Sequence, residues 1–125
     1  AYAELYDQAG LMVRLDETIW LKCGVELVDG IYYASAVMTH DYSDWSMVTL
    51  PGAPDALWLR ITREGSTVNV MFSMDGETYT PLRMGHLTSA TVFVGVMACS
   101  PTGEGFTATF EGFQIRPHTP TDAHT

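Results

Sequence analysis

The chain has 125 residues, 46% of them apolar and 17% charged, which fits one folded domain and excludes both a disordered polar chain and two ordinary domains. Fifteen Asp and Glu against six Lys and Arg give a formal charge of -9, which repels a phosphate backbone or an anionic bilayer over most of the surface. The sequence therefore reads as a domain without a nucleic-acid or membrane partner, and its acidity as a solubility feature rather than a metal site.

Helical periodicity is hard to find, whereas alternation with period two recurs in segments bounded by Gly, Asp and Pro. In the first segment, residues 10–15, Leu11, Val13 and Leu15 share one face while Met12 and Arg14 share the other. In residues 20–29, Leu21, Cys23, Val25 and Leu27 point one way and Lys22, Gly24 and Glu26 the other. Asp29-Gly30 is a two-residue hairpin signal, because both central positions of a type I′ turn need positive φ. Residues 31–39 return as a strand, and His40 to Asp44 read as a polar loop before an extended run over 45–50.

Pro51, Gly52 and Pro54 break that run, and Leu57, Leu59 and Ile61 alternate with Trp58, Arg60 and Thr62 in the next strand. Glu64-Gly65 reads as a turn into residues 68–73, and Asp75-Gly76 as another before 79–84. Residues 91–100 and 107–115 complete a set of about nine short strands, the spacing of a sandwich or barrel. The expected organisation is one β-sandwich domain over 1–116 and a frayed tail over 117–125, which holds no large apolar residue.

The two cysteines, Cys23 and Cys99, form no CxxC pair and read as ordinary buried thiols of a reduced, cytoplasmic protein, the alternative being a single disulfide between them, which would need an oxidising compartment and facing Cβ atoms. The apolar run over 92–99 is far shorter than a membrane span. No cofactor, metal site or catalytic group is expected. His40, His86, His118 and His124 are scattered rather than set at ligand spacing, and no Ser lies in a nucleophile elbow. A glycosidase needs two carboxyl groups facing each other across a cleft, but Asp7, Asp41, Asp44, Asp75 and Glu77 fall in or near expected turns.

Strand parity places Arg14, Lys22, Glu26, Trp58 and Arg60 on faces turned away from the core. A floor of Arg, Lys and Glu with an aromatic wall suits a sugar, since charged groups hydrogen-bond hydroxyls and an indole stacks on the ring's apolar face. Trp45, expected in the loop beside Asp44, could supply the wall. The competing reading is a solvated cross-strand charge ladder of Arg14, Lys22 and Glu26.

Four stretches carry a resemblance: Tyr6-Asp7-Gln8-Ala9-Gly10-Leu11-Met12-Val13-Arg14, Lys22-Cys23-Gly24-Val25-Glu26, Asp44-Trp45-Ser46, and Cys99-Ser100-Pro101 followed by Gly105-Phe106. Together they resemble the concanavalin-A-like family of unknown function, domain of unknown function 1349, that includes the fungal regulation-of-enolase protein. Asp7 to Leu11 are also loosely similar to accessory sandwich domains of some β-xylosidases. The resemblance implies an all-β, antiparallel jelly-roll sandwich and a link to carbohydrate. It also singles out Asp7 and Gln8, either as ligand contacts at the sheet rim or as hydrogen-bonding partners of a turn in which Gly10 permits a bulge.

Domains of this kind carry further strands before the Asp-Gln-Ala-Gly motif, and only five residues precede Tyr6 here. An open sheet edge, and with it a homo-oligomer or a strand-complementing partner, is therefore expected. The function read from the sequence is a non-enzymatic binding or regulatory module with a carbohydrate ligand at Arg14, Lys22, Glu26, Trp45, Asp7 and Gln8. The alternatives are a glycan-active enzyme or glycosidase accessory domain, and a protein-interaction module using an exposed sheet edge.

Overall fold

The computed structural model describes residues 8–54, 56–99 and 112–115, and within them the period-two segments form eight strands and no helix. These are β1 (Gln8–Arg14), β2 (Ile19–Val28), β3 (Ile31–His40), β4 (Tyr42–Thr49), β5 (Trp58–Glu64), β6 (Thr67–Ser73), β7 (Thr80–His86) and β8 (Phe93–Cys99). They pair antiparallel throughout, in a five-stranded sheet of order β4-β3-β2-β1-β8 and a three-stranded sheet of order β5-β6-β7. The expected all-β architecture holds.

Asp29 and Gly30 take φ of 51° and 78°, closing the β2–β3 hairpin as the turn signal requires. Two other turns differ from expectation. Gly65, at φ 62°, and Ser66 form the β5–β6 turn, one residue beyond Glu64-Gly65, because Glu64 still pairs with Thr67. The polar loop expected over 40–44 is replaced by a reversal at Asp41 alone. His40 pairs with Tyr42, Asp41 sits at φ 67°, and its N–H donates to the Thr18 carbonyl at 2.8 Å. Aspartate tolerates the left-handed region well enough to hold that position, so Trp45 and Asp44 lie on strand β4. The ninth strand expected over 107–115 falls mainly outside the described residues, as do the tail and Asp7, and residues 112–115 carry no strand pairing.

The two sheets face each other across the alternating apolar set. Val13, Leu21, Cys23, Ala36 and Met38 of the larger sheet meet Val68 and Val70 of the smaller one and Leu87 beyond it. Val25, Ala34, Leu50 and Phe72 make a second cluster alongside. Removing these apolar groups from water is the main favourable term holding the sheets together. Cys23 belongs to this core as a free thiol, and burial pushes its pKa up to about 12.

Gly10 serves close packing rather than a bulge. It lies within β1 opposite Gly24, and a Cβ there would collide with the Cys23 carbonyl oxygen and lie 2.6 Å from the Gly24 Cα. Only glycine allows β1 and β2 to approach this closely.

Candidate functional site

The face of the larger sheet that turns away from the core is built from cross-strand rows. One row runs Trp45, Val37, Lys22 and Met12 across β4, β3, β2 and β1. The next runs Ser43, Thr39, Trp20 and Arg14. Where these rows cross β2, β3 and β4 the surface dips into an open hollow of about 530 Å³, lined by Trp20, Lys22, Val37, Ser43 and Trp45.

Val37 is 3% exposed and forms the apolar floor, whereas Trp45, 57% exposed on the edge strand, stands as a wall. The Lys22 ammonium lies 5.7 Å from the centroid of the Trp20 ring, a cation over an aromatic face. Thr39 and Ser43 share a hydroxyl hydrogen bond of 2.8 Å at the rim. Two indoles, an ammonium and a hydroxyl thus surround a floor of aliphatic carbon, which can stack a flat apolar ring face and hydrogen-bond groups at its edge.

The structure distributes the residues expected at the site unevenly. Lys22 and Trp45 line the hollow, and Arg14 is exposed on the same face, opposite Trp20. Glu26 shares the face but is 1% exposed, so it is buried rather than presented to solvent, and it stands in the row of Gln8 and Tyr33. Arg14, Lys22 and Glu26 therefore occupy three different rows, and no two of them are directly opposed. The backbone of Gln8 pairs with Glu26 at the start of β1, and Asp7 lies outside the described residues.

Trp58 and Arg60 belong to the other sheet and do not join this face. The Trp58 indole packs against Gly76, where a Cβ would lie 2.8 Å from its ring, and Arg60 stacks on Tyr79 at 4.0 Å.

Trp20 was not among the expected site residues. Its signal was present, since Trp20 has the parity of Lys22 two positions on, and the same reasoning that turned Lys22 outward applies to it. Asp44 also differs from expectation. It faces Arg83 of β7 at 3.9 Å, and Arg83 donates to the Ser46 hydroxyl at 3.1 Å, so this carboxylate ties the two sheets at their edge. His40 serves the same junction: its ring Nε2 hydrogen-bonds the Leu87 carbonyl, and the ring lies 5.2 Å from that of His86.

Turn carboxylates behave as caps. The backbone N–H of Thr18, then its hydroxyl, hold the Asp16 carboxyl below the ordinary range. The N–H groups of Thr78 and Glu77, then the Ser73 hydroxyl, do the same for Asp75. Among the described residues, no group of three or more His, Cys, Asp or Glu is arranged to hold a metal ion, and no helix is long and apolar enough to cross a membrane.

Residues 1–118 match the model of the family described as "Protein of unknown function (DUF1349)". The chain belongs to this family. It is 40% identical over 116 residues to Regulation of enolase protein 1 of Saccharomyces cerevisiae, an alignment covering 92% of this chain and 59% of the yeast protein. It is 25% identical over 113 residues to an uncharacterized protein of Emericella nidulans, covering 83% and 56% of the two chains. The chain thus spans little more than half the length of these two relatives. A crystal structure of a functionally unknown protein from Saccharomyces cerevisiae shares the fold with a TM-score of 0.76 at 40% identity, covering 81% of this chain and 55% of that one.

Proposed function

We propose that this DUF1349 domain is a non-enzymatic binding module that takes a carbohydrate in the hollow on the outer face of β2, β3 and β4. The observation that carries the reading is the pair of indoles, Trp20 and Trp45, set around Lys22 over the Val37 floor. A sugar ring presents an apolar C–H face to stack and a rim of hydroxyls to hydrogen-bond, and the hollow offers both kinds of partner. Binding rather than turnover is supported by the lining itself: none of the five residues is a carboxylate, whereas glycoside hydrolysis uses two. The yeast relative is named for regulation, which fits a module whose output is binding. A buried, unpaired Cys23 thiol accords with a reducing compartment, and we place the protein in the cytoplasm.

Trp45→Ala tests the reading. More than half of Trp45 is exposed, so its loss should leave the melting temperature within about 2 °C of wild type, in line with about 0.5 kcal/mol or less for a surface change. Binding to the best ligand of a glycan array should weaken at least about five-fold, the value of one lost aromatic stacking contact. An array on which no sugar binds the wild-type protein contradicts the proposal.

A second reading is interaction through a strand edge. Among the described residues β8 is an outermost strand with β1 as its neighbour, and it exposes Phe93 (79%), Val94 (39%) and Val96 (45%). An uncharged, apolar edge of this kind is a template for another strand.

A further inference from the structure

We infer that the sugar taken by the hollow is an anionic one, carrying a carboxylate or a phosphate; the inference rests on the carbohydrate reading above and narrows it. It rests on the partners of the described cations. The sequence has six Lys and Arg, and Arg14, Lys22, Arg60, Arg63 and Arg83 lie among the described residues. Three of these make their contacts away from the hollow. Arg60 is stacked on Tyr79, and Arg63 donates to the carbonyls of Thr88 and Ala90 at 3.1 and 2.7 Å. Arg83 reaches Asp44 and Ser46.

The other two, Arg14 and Lys22, are on adjacent strands of the one face that carries the hollow. Arg14 is opposite Trp20 in the register, and Lys22 lies over the Trp20 ring. Among the described residues neither forms an ion pair, although Arg14 is near enough to Asp16 to help hold that carboxyl down. Asp16 is itself occupied by the N–H groups of Thr18 and Ile19 and the Thr18 hydroxyl.

In a chain of net charge -9, the lining of the hollow holds a cation and no carboxylate, and a second cation stands on the same face. The carboxylate sharing the face, Glu26, is four residues along β2 from Lys22, about 13 Å away at the rise of an extended strand, and it is buried. An acidic group on a ring stacked in the hollow would thus meet an ammonium with no carboxylate of the described residues at ion-pair distance. Charge-assisted hydrogen bonds are about twice as strong as neutral ones. The ammonium therefore favours the ionised sugar over its neutral counterpart.

Calorimetric titration of the whole chain with four probes tests this: a galacturonic-acid oligomer, its fully methyl-esterified form, galactose 6-phosphate and galactose. The acidic member of at least one pair should bind about five-fold or more tightly than its neutral counterpart. That preference should fall with added salt and vanish in Lys22→Met, which keeps the aliphatic stem, while Lys22→Arg retains it. A preference in the oligomer pair assigns a carboxylate and one in the galactose pair a phosphate, and either supports the inference.

Equal binding within both pairs overturns the inference and leaves the carbohydrate reading standing. Failure of all four to bind overturns the inference, and a blank glycan array would then remove the reading beneath it. A charge preference that survives in folded Lys22→Met overturns the role of Lys22. If Lys22→Met does not fold, a salt-independent preference in the wild-type chain overturns it instead.

Discussion

Asp16 and Asp75 each accept several short hydrogen bonds from the turn they close, and their carboxyls titrate below the usual range because the charged form is the one those donors favour. A depressed folded-state pKa contributes stability that is present above the unfolded value, about 3.9 for Asp, and is lost as pH falls through the folded value. The melting temperature should therefore drop as pH is lowered from about 4.5 towards 2.5, and Asp16→Asn with Asp75→Asn should flatten that limb. Thermal melts across the interval check this, and an unchanged acid limb in the double variant contradicts it. The capping role of Asp75 was legible because a short acid beside glycine most often bonds its own turn. The same logic misplaced Asp44, because its partner Arg83 is on another sheet and no local pattern announces a cross-sheet pair.

At the scale of elements, alternation assigned nearly every strand and its buried face, since one face of each must meet an apolar partner. It could not assign neighbours. The pairing of β1 with β8 joins segments about eighty residues apart, and the separation of Trp58 and Arg60 from Lys22 depends on which sheet β5 enters. Parity gives a face but not a sheet, so residues grouped as outward in the sequence divide between two surfaces in the fold. Among the described residues the edge of β8 is open, and this carries its own prediction. Sedimentation at micromolar concentration should show self-association of the wild-type chain, and Val96→Lys, which puts a charge on that edge, should abolish it. A wild-type chain that sediments as a monomer contradicts the edge reading.

Across the whole molecule, the five described cations of an acidic domain divide between two places: three make contacts elsewhere, and two lie on the face that carries the aromatic hollow. The hollow was partly legible, through Lys22, Arg14 and Trp45. Trp20 was legible too, through the parity it shares with Lys22, whereas Val37 enters only when β2, β3 and β4 are laid side by side. The three tryptophans make the claim directly measurable, since Trp20 and Trp45 line the hollow while Trp58 packs on the other sheet. Titration with the tightest-binding sugar, followed by the indole N–H resonances, should shift Trp20 and Trp45 together in proportion to occupancy and leave Trp58 in place. Movement of Trp58 with Trp20 and Trp45 unmoved would place the ligand elsewhere and contradict the site.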